Sequence, residues 1–397
     1  RCNLYFQTLD DKSQCIGVYS GGKLHYDEVP SGISKTWKYA PFLCDRGDIE
    51  YANLYCHGSS LMEVCPEDLK LRLEKILDKL RAFLTAFKEA KVSLHDNCFY
   101  DLVPERFLLE YCEIKNQITK HVLQNFVRPK NYRFLLSLSK TVEDIKQYKL
   151  NVSPGRIKLD SDRSRSFYKK ISTTAPYISY DIFGSKTGRL TTRKNSFPIL
   201  TLDKNYRQVL SPNNDYFVEL DFNSAEIRTF LALQGVEQPK EDIHAHIAEN
   251  VFKGQFSREE TKKKVFAWFY NPEAKNEELD KLFNKQAVLK KYWDGTHVNT
   301  FYDRRIEADK KHALNYLIQS TTSDLFLKRM IDIWERLAGR RSHVAFSVHD
   351  SLVIDYCYED KDLLKEIVSS FASTELGVFK VNVRIGKDYG KMWTREV

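Results

Sequence analysis

Residues 218–228 read VELDFNSAEIR and residues 344–355 read VAFSVHDSLVID. In each, an apolar strand runs into a bare aspartate, Asp221 in the first and Asp350 in the second. A strand held in a sheet delivers such a carboxylate on a rigid support. Ionised, it is expensive there unless it meets a cation. A single strand-end aspartate caps the next helix more often than it binds metal, and a His-Asp hairpin tip is by itself an ordinary polar turn. Two such aspartates constrain the fold far more. If their strands are neighbours in one sheet, they can hold two hard divalent cations about 3.5–4 Å apart, clamping the attacking and leaving oxygens of a phosphoryl transfer.

A third stretch supports that chemistry. Residues 257–270, SREETKKKVFAWFY, open with a capping box from Ser257 to Glu260, which predicts a helix from Arg258. Arg258, Lys262, Phe266 and Tyr270 then recur every fourth residue. Arg258 to Phe266 spans about 12 Å of helix rise, roughly the reach of a triphosphate and its sugar. Cations at the positive end of a helix suit phosphates, and aromatic side chains further along suit a base. A generic amphipathic helix can carry the same stripe.

With 397 residues the chain has room for two or three domains. A hydrophobic share of 42% and a charged share of 29% are those of a globular protein and argue against disorder. The net charge of +8 favours a polyanionic partner, weakly by itself. No apolar run approaches the roughly 20 residues of a membrane helix. Residues 1–30 lack the pattern of a signal peptide, so no membrane and an intracellular location are expected. Cys2, Cys15, Cys44, Cys56, Cys65, Cys98 and Cys112 crowd the first 112 residues without a CxxC pair. Reduced, partly buried thiols are therefore expected rather than disulfides or zinc.

Strands are predicted at 3–9 and 15–20, with Gly21-Gly22 turning into a third. A helix opens at Pro66 with Leu69, Leu73, Ile76, Leu77, Leu80, Phe83, Leu84 and Phe87 on one stripe. Helices follow over 104–126, from about 224, and at 258–270 and 312–338, with a hairpin at 343–357. NVSPGR at 151–156 reads as a linker. An α/β unit followed by a larger α+β unit is the coarse layout.

Together these stretches resemble the family A DNA polymerases, relatives of bacterial DNA polymerase I that include many phage replicases. DFNSAEIR is similar to the family's motif A, with Asp221, Glu226 and Arg228 in its places. Arg258, Lys262, Phe266 and Tyr270 match the spacing of motif B, and SVHDS resembles motif C. TGRL (187–190), DIH (242–244), GTHVNTFYDRR (295–305) and Asn315 with Gln319 appear in the family's order. The resemblance covers about 186–397 and implies an α+β right-hand fold of palm, thumb and fingers (about 235–310).

The resemblance also implies roles. Asp221 and Asp350 would be the catalytic metal ligands with the Phe222 carbonyl, for two Mg²⁺ ions that Mn²⁺ can replace. Glu226, against Tyr270, would exclude a ribose 2′-hydroxyl. Arg258, Lys262 and His244 would hold the triphosphate, and Phe266 would flank the sugar and base. Arg189, Asn315, Gln319 and His349 would contact primer–template DNA, the first three through minor-groove acceptors. The implied activity is template-directed addition of dNTPs in the cytoplasm of a bacterium or phage-infected cell, with room for a processivity or replisome partner. Ser351 stands where a glutamate usually follows the motif C aspartate. Ala267 and Asn271 replace two glycines, Lys311 an arginine and Asp303 a glycine. These departures bear on the speed and fidelity of fingers closure.

Residues 1–115 resemble a shrunken ribonuclease-H-like exonuclease. LYFQTLDDKSQCIGVY matches its first strands and LHDNCFYDL, with Asp101, its second motif. Its metal-binding Asp-x-Glu reads Gln7-x-Leu9 here, so a metal-free remnant without proofreading is expected, or else an unrelated α/β domain. Residues 116–185 are expected to supply a thumb and linker. Two other readings stay open for the whole. A phage-type single-subunit RNA polymerase is disfavoured by Glu226. A catalytically inactive nucleic-acid-binding protein is disfavoured by the intact Asp221, Asp350, Arg258 and Lys262.

Overall fold

Short alternating strands build two separate five-stranded sheets, one in each of two units, residues 1–147 and 148–397. The computed structural model describes residues 4–271 and 273–395, so Cys2 and the first residue of the earliest expected strand lie outside the described residues.

In the first unit, β1 (Leu4–Thr8), β2 (Gly17–Ser20), β3 (Lys23–Tyr26), β4 (Ile33–Thr36) and β5 (Glu50–Tyr51) lie in the order β3-β2-β1-β4-β5. The first three are antiparallel and the last two join in parallel. Gly21 and Gly22, at φ of +58° and +81°, make the expected tight turn, which only glycine adopts easily at both positions. Helix α1 (Glu67–Glu89) starts directly after Pro66. Of its apolar stripe only Leu73 and Ile76 are buried. It meets α2 (Glu105–Asn125) along one edge, through Phe83 against Phe107 and the Arg72–Glu113 and Lys79–Glu110 pairs.

Helix α2 buries Phe107, Leu108, Cys112, Ile114, Ile118 and Val122, packing on β1 and β4. Helix α3 (Tyr132–Gln147) adds Leu135, Leu138, Val142 and Ile145 to the same unit. The boundary therefore falls after Gln147 rather than near 115, because the apolar faces of α2 and α3 complete the core of the first sheet.

The cysteine expectation is corrected. Cys15 and Cys98 form a disulfide, brought together where Asp10 accepts a hydrogen bond from the Phe99 amide at 2.6 Å. Their sequence separation of 83 leaves no local signature. Cys44, Cys56, Cys65, Cys112 and Cys357 are free thiols, all but Cys44 buried. Gln7, only 1% exposed, donates to Asn116 and Thr119 of α2. Leu9 sits in an apolar cluster with Tyr19 and Cys112, while Asp101 faces solvent.

The second unit runs α4 (Asp162–Thr173), β6 (Tyr216–Phe222), α5 (Ala225–Gln234), α6 (Ile243–Asn250) and α7 (Arg258–Tyr270). Then come α8 (Ala313–Arg336), β7 (His343–Val348), β8 (Ser351–Tyr356), α9 (Leu364–Ala372), β9 (Val381–Gly386) and β10 (Met392–Thr394). The sheet is antiparallel throughout, in the order β7-β8-β6-β9-β10, so β6 is its centre. Period two sends Val218, Leu220 and Phe222 to one face. That face lies under α8 and α9, with the rings of Phe222 and Phe371 stacked at 4.4 Å. Phe217, Glu219 and Asp221 take the other face. Phe230, Val265, Trp268, Phe269, Phe283 and Leu317 form a further core joining α5, α7 and α8. No helix of the described residues is long and apolar enough to cross a membrane.

Candidate active site

β6 and β8 are direct neighbours, and their register sets Asp221 opposite Ser351. Asp350 immediately precedes Ser351, raised on a hairpin tip that His349 closes at a left-handed φ of +55°. Asp221, Asp350, Phe222, Glu226, Phe266, Tyr270, Arg189, Asn315 and Gln319 line one cleft of about 440 Å³. The two carboxylates that lay 129 residues apart in sequence thus share a site. Burial pushes Asp221 up to about 6, helped by the neighbouring Glu219 carboxylate and opposed by Asn382 and Arg384. Burial also raises Asp350 and Glu226, with Arg189 opposing in both cases.

Arg189 stands among these carboxylates. It donates to Glu226 at 2.8 Å and lies 3.8 Å from Asp350. Its turn is pinned on both sides. Thr187 donates to Gln319 at 2.9 Å. Gly188, at φ +78°, lies so close to Arg304 that a Cβ would come within 2.5 Å of its guanidinium. Arg304 is itself held by the buried Asp324 at 2.7 and 3.1 Å.

Helix α7 has the capping box read from Ser257 and Glu260. Its inner face, Val265, Trp268 and Phe269, is core, which leaves Phe266 and Tyr270 stacked at 5.8 Å over the cleft. Four nominated residues stand outside the cleft lining. Lys262 is exposed on α7. His349 is exposed at its turn. Arg258 is held by Asp242 at 2.8 Å. His244, 1% exposed, lies under Phe266 with its ring centre 5.6 Å away, and neither ring nitrogen meets a partner among the described residues. Burial lowers it to about 4, so it is neutral at pH 7. A buried ring without hydrogen-bond partners gives up its proton, and the nearby Arg258 and Lys262 cations act in the same direction.

Residues 273–395 match the family described as DNA polymerase family A. They hold Asp350, Asn315 and Gln319. DNA polymerase I of Caldicellulosiruptor bescii is 24% identical over 238 residues, covering 47% of this chain, which spans 28% of that relative's length. The POL domain of Pol1 from M. smegmatis, solved with DNA primer-template and dNTP, matches the fold with a TM-score of 0.65. At 12% identity it covers 98% of this chain and 96% of that one. The α+β polymerase fold expected from the sequence is the one observed.

Polymerases of family A generally use divalent cations, and the oxygen donors of this cleft suit them. Among the described residues no group of three or more His, Cys, Asp or Glu side chains forms a metal cage. Magnesium, however, is commonly held by one or two carboxylates completed by water and substrate phosphates. Asp221, Asp350 and the Phe222 carbonyl offer hard oxygen ligands, and the Arg189 guanidinium already shows that this pocket draws positive charge.

The sequence reading gave Arg228 no role and did not single out Glu219, two supports of this cleft. Arg228 is fully buried and donates to the carbonyls of Asn223, Pro239 and Glu241. It ties the turn after Asp221 to the start of α6. Glu219 is buried two residues before Asp221, bonded to Ser351 and paired with Arg384. An acid inside the apolar run VEL was the available signal.

Proposed function

We propose that the second unit adds deoxynucleotides to a primer 3′ end under the direction of a DNA template. The observation that carries this reading is the cleft shared by Asp221, Asp350, Glu226 and the Phe266–Tyr270 stack. Two bound Mg²⁺ ions would activate the primer hydroxyl and neutralise charge building on the triphosphate. Asp221, Asp350 and the Phe222 carbonyl would hold them. Lys262, and Arg258 once it leaves Asp242, bind the phosphates from the exposed side of α7. Phe266 flanks the sugar and base, with His244 supporting its ring as a neutral wedge. Glu226, beside Tyr270, occupies the room a 2′-hydroxyl needs, which favours deoxynucleotides over the RNA polymerase reading. Asn315 and Gln319 face the minor groove of the primer–template, and Arg189 joins them after releasing Asp350.

The first unit adds no proofreading in this reading, since Gln7 and Leu9 leave its first strand without carboxylates. Primer extension with dNTPs, with rNTPs, and without metal tests the proposal. Metal-dependent extension by dNTPs alone, abolished in Asp221→Asn and Asp350→Asn, is the expected result. Extension unaffected by either substitution would overturn it.

A further inference from the structure

Glu219 is 2% exposed in the central strand of the second sheet. It shares a face with Asp221, two residues on, and lies opposite Arg384 across β9. One carboxylate oxygen accepts from the Ser351 hydroxyl at 2.7 Å, and the carboxylate is ion-paired with Arg384. Ser351 follows Asp350 and faces Asp221 in register. A single buried acid therefore ties three strands together at the end where both aspartates emerge.

A buried acid paired with a part-exposed arginine is seldom the most stable choice for a central strand, because apolar residues of similar volume do as well or better. The opposite face is built that way, from Val218, Leu220, Leu352 and Ile354. The Glu219–Arg384 pair and Ser351 stand instead beside the aspartates. Arg384 would otherwise hold an uncompensated positive charge near Asp221 and repel a divalent cation.

We infer that Glu219 is a positioning residue for the aspartate pair: it neutralises Arg384 and anchors Ser351, so that a divalent cation meets Asp221 and Asp350 without repulsion from Arg384. The inference rests on the polymerase reading of the cleft. Its test is binding of Mn²⁺ alone to the full chain, read from the paramagnetic resonance of free Mn²⁺. Primer extension across a Mg²⁺ titration runs in parallel.

Glu219→Gln keeps a hydrogen-bond acceptor for Ser351 but leaves Arg384 unpaired. It is expected to weaken Mn²⁺ binding about 10- to 100-fold, the usual effect of losing an outer partner of a metal site. It should also raise the Mg²⁺ needed for half-maximal extension. Adding R384Q to E219Q removes the excess charge and is expected to recover most of the affinity, an outcome that a purely structural triad does not produce. R384Q alone is expected to bind Mn²⁺ at least as tightly as wild type, and it carries the test if E219Q fails to fold. Wild-type Mn²⁺ affinity in E219Q, a double variant no better than E219Q, or weaker binding in R384Q would each overturn the inference. The D221N control separates the two levels: extension surviving in D221N defeats the polymerase reading itself.

Discussion

Glu226 carries the sugar selectivity of the proposed reaction, and its surroundings say how it can be tested. Its carboxylate is fixed by Arg189 at 2.8 Å inside the cleft, so it is a placed obstacle rather than a mobile charge. Glu226→Ala is expected to admit ribonucleotides, cutting the dNTP-over-rNTP preference by about 100-fold, the scale of a lost steric contact of a few kcal/mol. An unchanged preference in single-nucleotide extension would free Glu226 of that role. His244 makes the pH-dependent contribution. Its folded value near 4 lies below the ordinary 6.5, so between those values the unfolded chain binds more protons. Stability then rises with pH across that window, and acidification from pH 7 to 4 withdraws roughly 3 kcal/mol through this ring. His244→Phe, which keeps a ring beside Phe266 without titrating, should flatten that part of the dependence in urea unfolding at pH 7 and pH 5. A variant with the wild-type slope would assign the pH effect to other groups.

Among the elements, the junction of β6, α5 and α6 depends on Arg228. Its guanidinium meets three backbone carbonyls and the Asn223 side chain in a fully buried position. Lysine can satisfy only part of that set, and each buried acceptor left alone costs about 1–3 kcal/mol. Arg228→Lys should therefore lose roughly 2–5 kcal/mol in denaturant unfolding; a loss below the error of that measurement would show the clamp to be dispensable. The elements themselves were largely legible in the sequence. Capping at Ser257, the Gly21-Gly22 turn and the hairpin around His349-Asp350 are local patterns, and local patterns survive into the fold. Cross-strand partnerships were not legible. That Glu219 meets Ser351 and Arg384 follows from the register of three strands, and Arg189 reaches Glu226 only through the packing of a turn on Arg304. The burial of His244 was equally hidden, because α6 alone does not reveal that α7 covers it.

At the scale of the whole chain, the unit boundary was misplaced because α2 and α3 carry no mark of which sheet they cover. The Cys15–Cys98 bridge was missed because pairing is a property of the folded unit. Its separation of 83 residues predicts a stabilisation of roughly 4–5 kcal/mol in the chain-entropy account. Thermal unfolding with and without dithiothreitol, with Cys98→Ser as the oxidant-insensitive control, should show the first unit melting lower when reduced. A midpoint that dithiothreitol does not move would dismiss the bridge as a stabiliser. A mismatched primer incubated with Mg²⁺ and no dNTPs is expected to keep its full length; shortening that disappears in Asp101→Ala would reveal a working nuclease in the first unit. The packing of Gln7 and Leu9 bears on that expectation. Gln7 is enclosed by Asn116 and Thr119, and Leu9 by Tyr19 and Cys112. A carboxylate placed at either position alone would be buried without a cation and would weaken the unit. The surroundings of these two places are fitted to neutral side chains, and no single substitution turns either into a metal site.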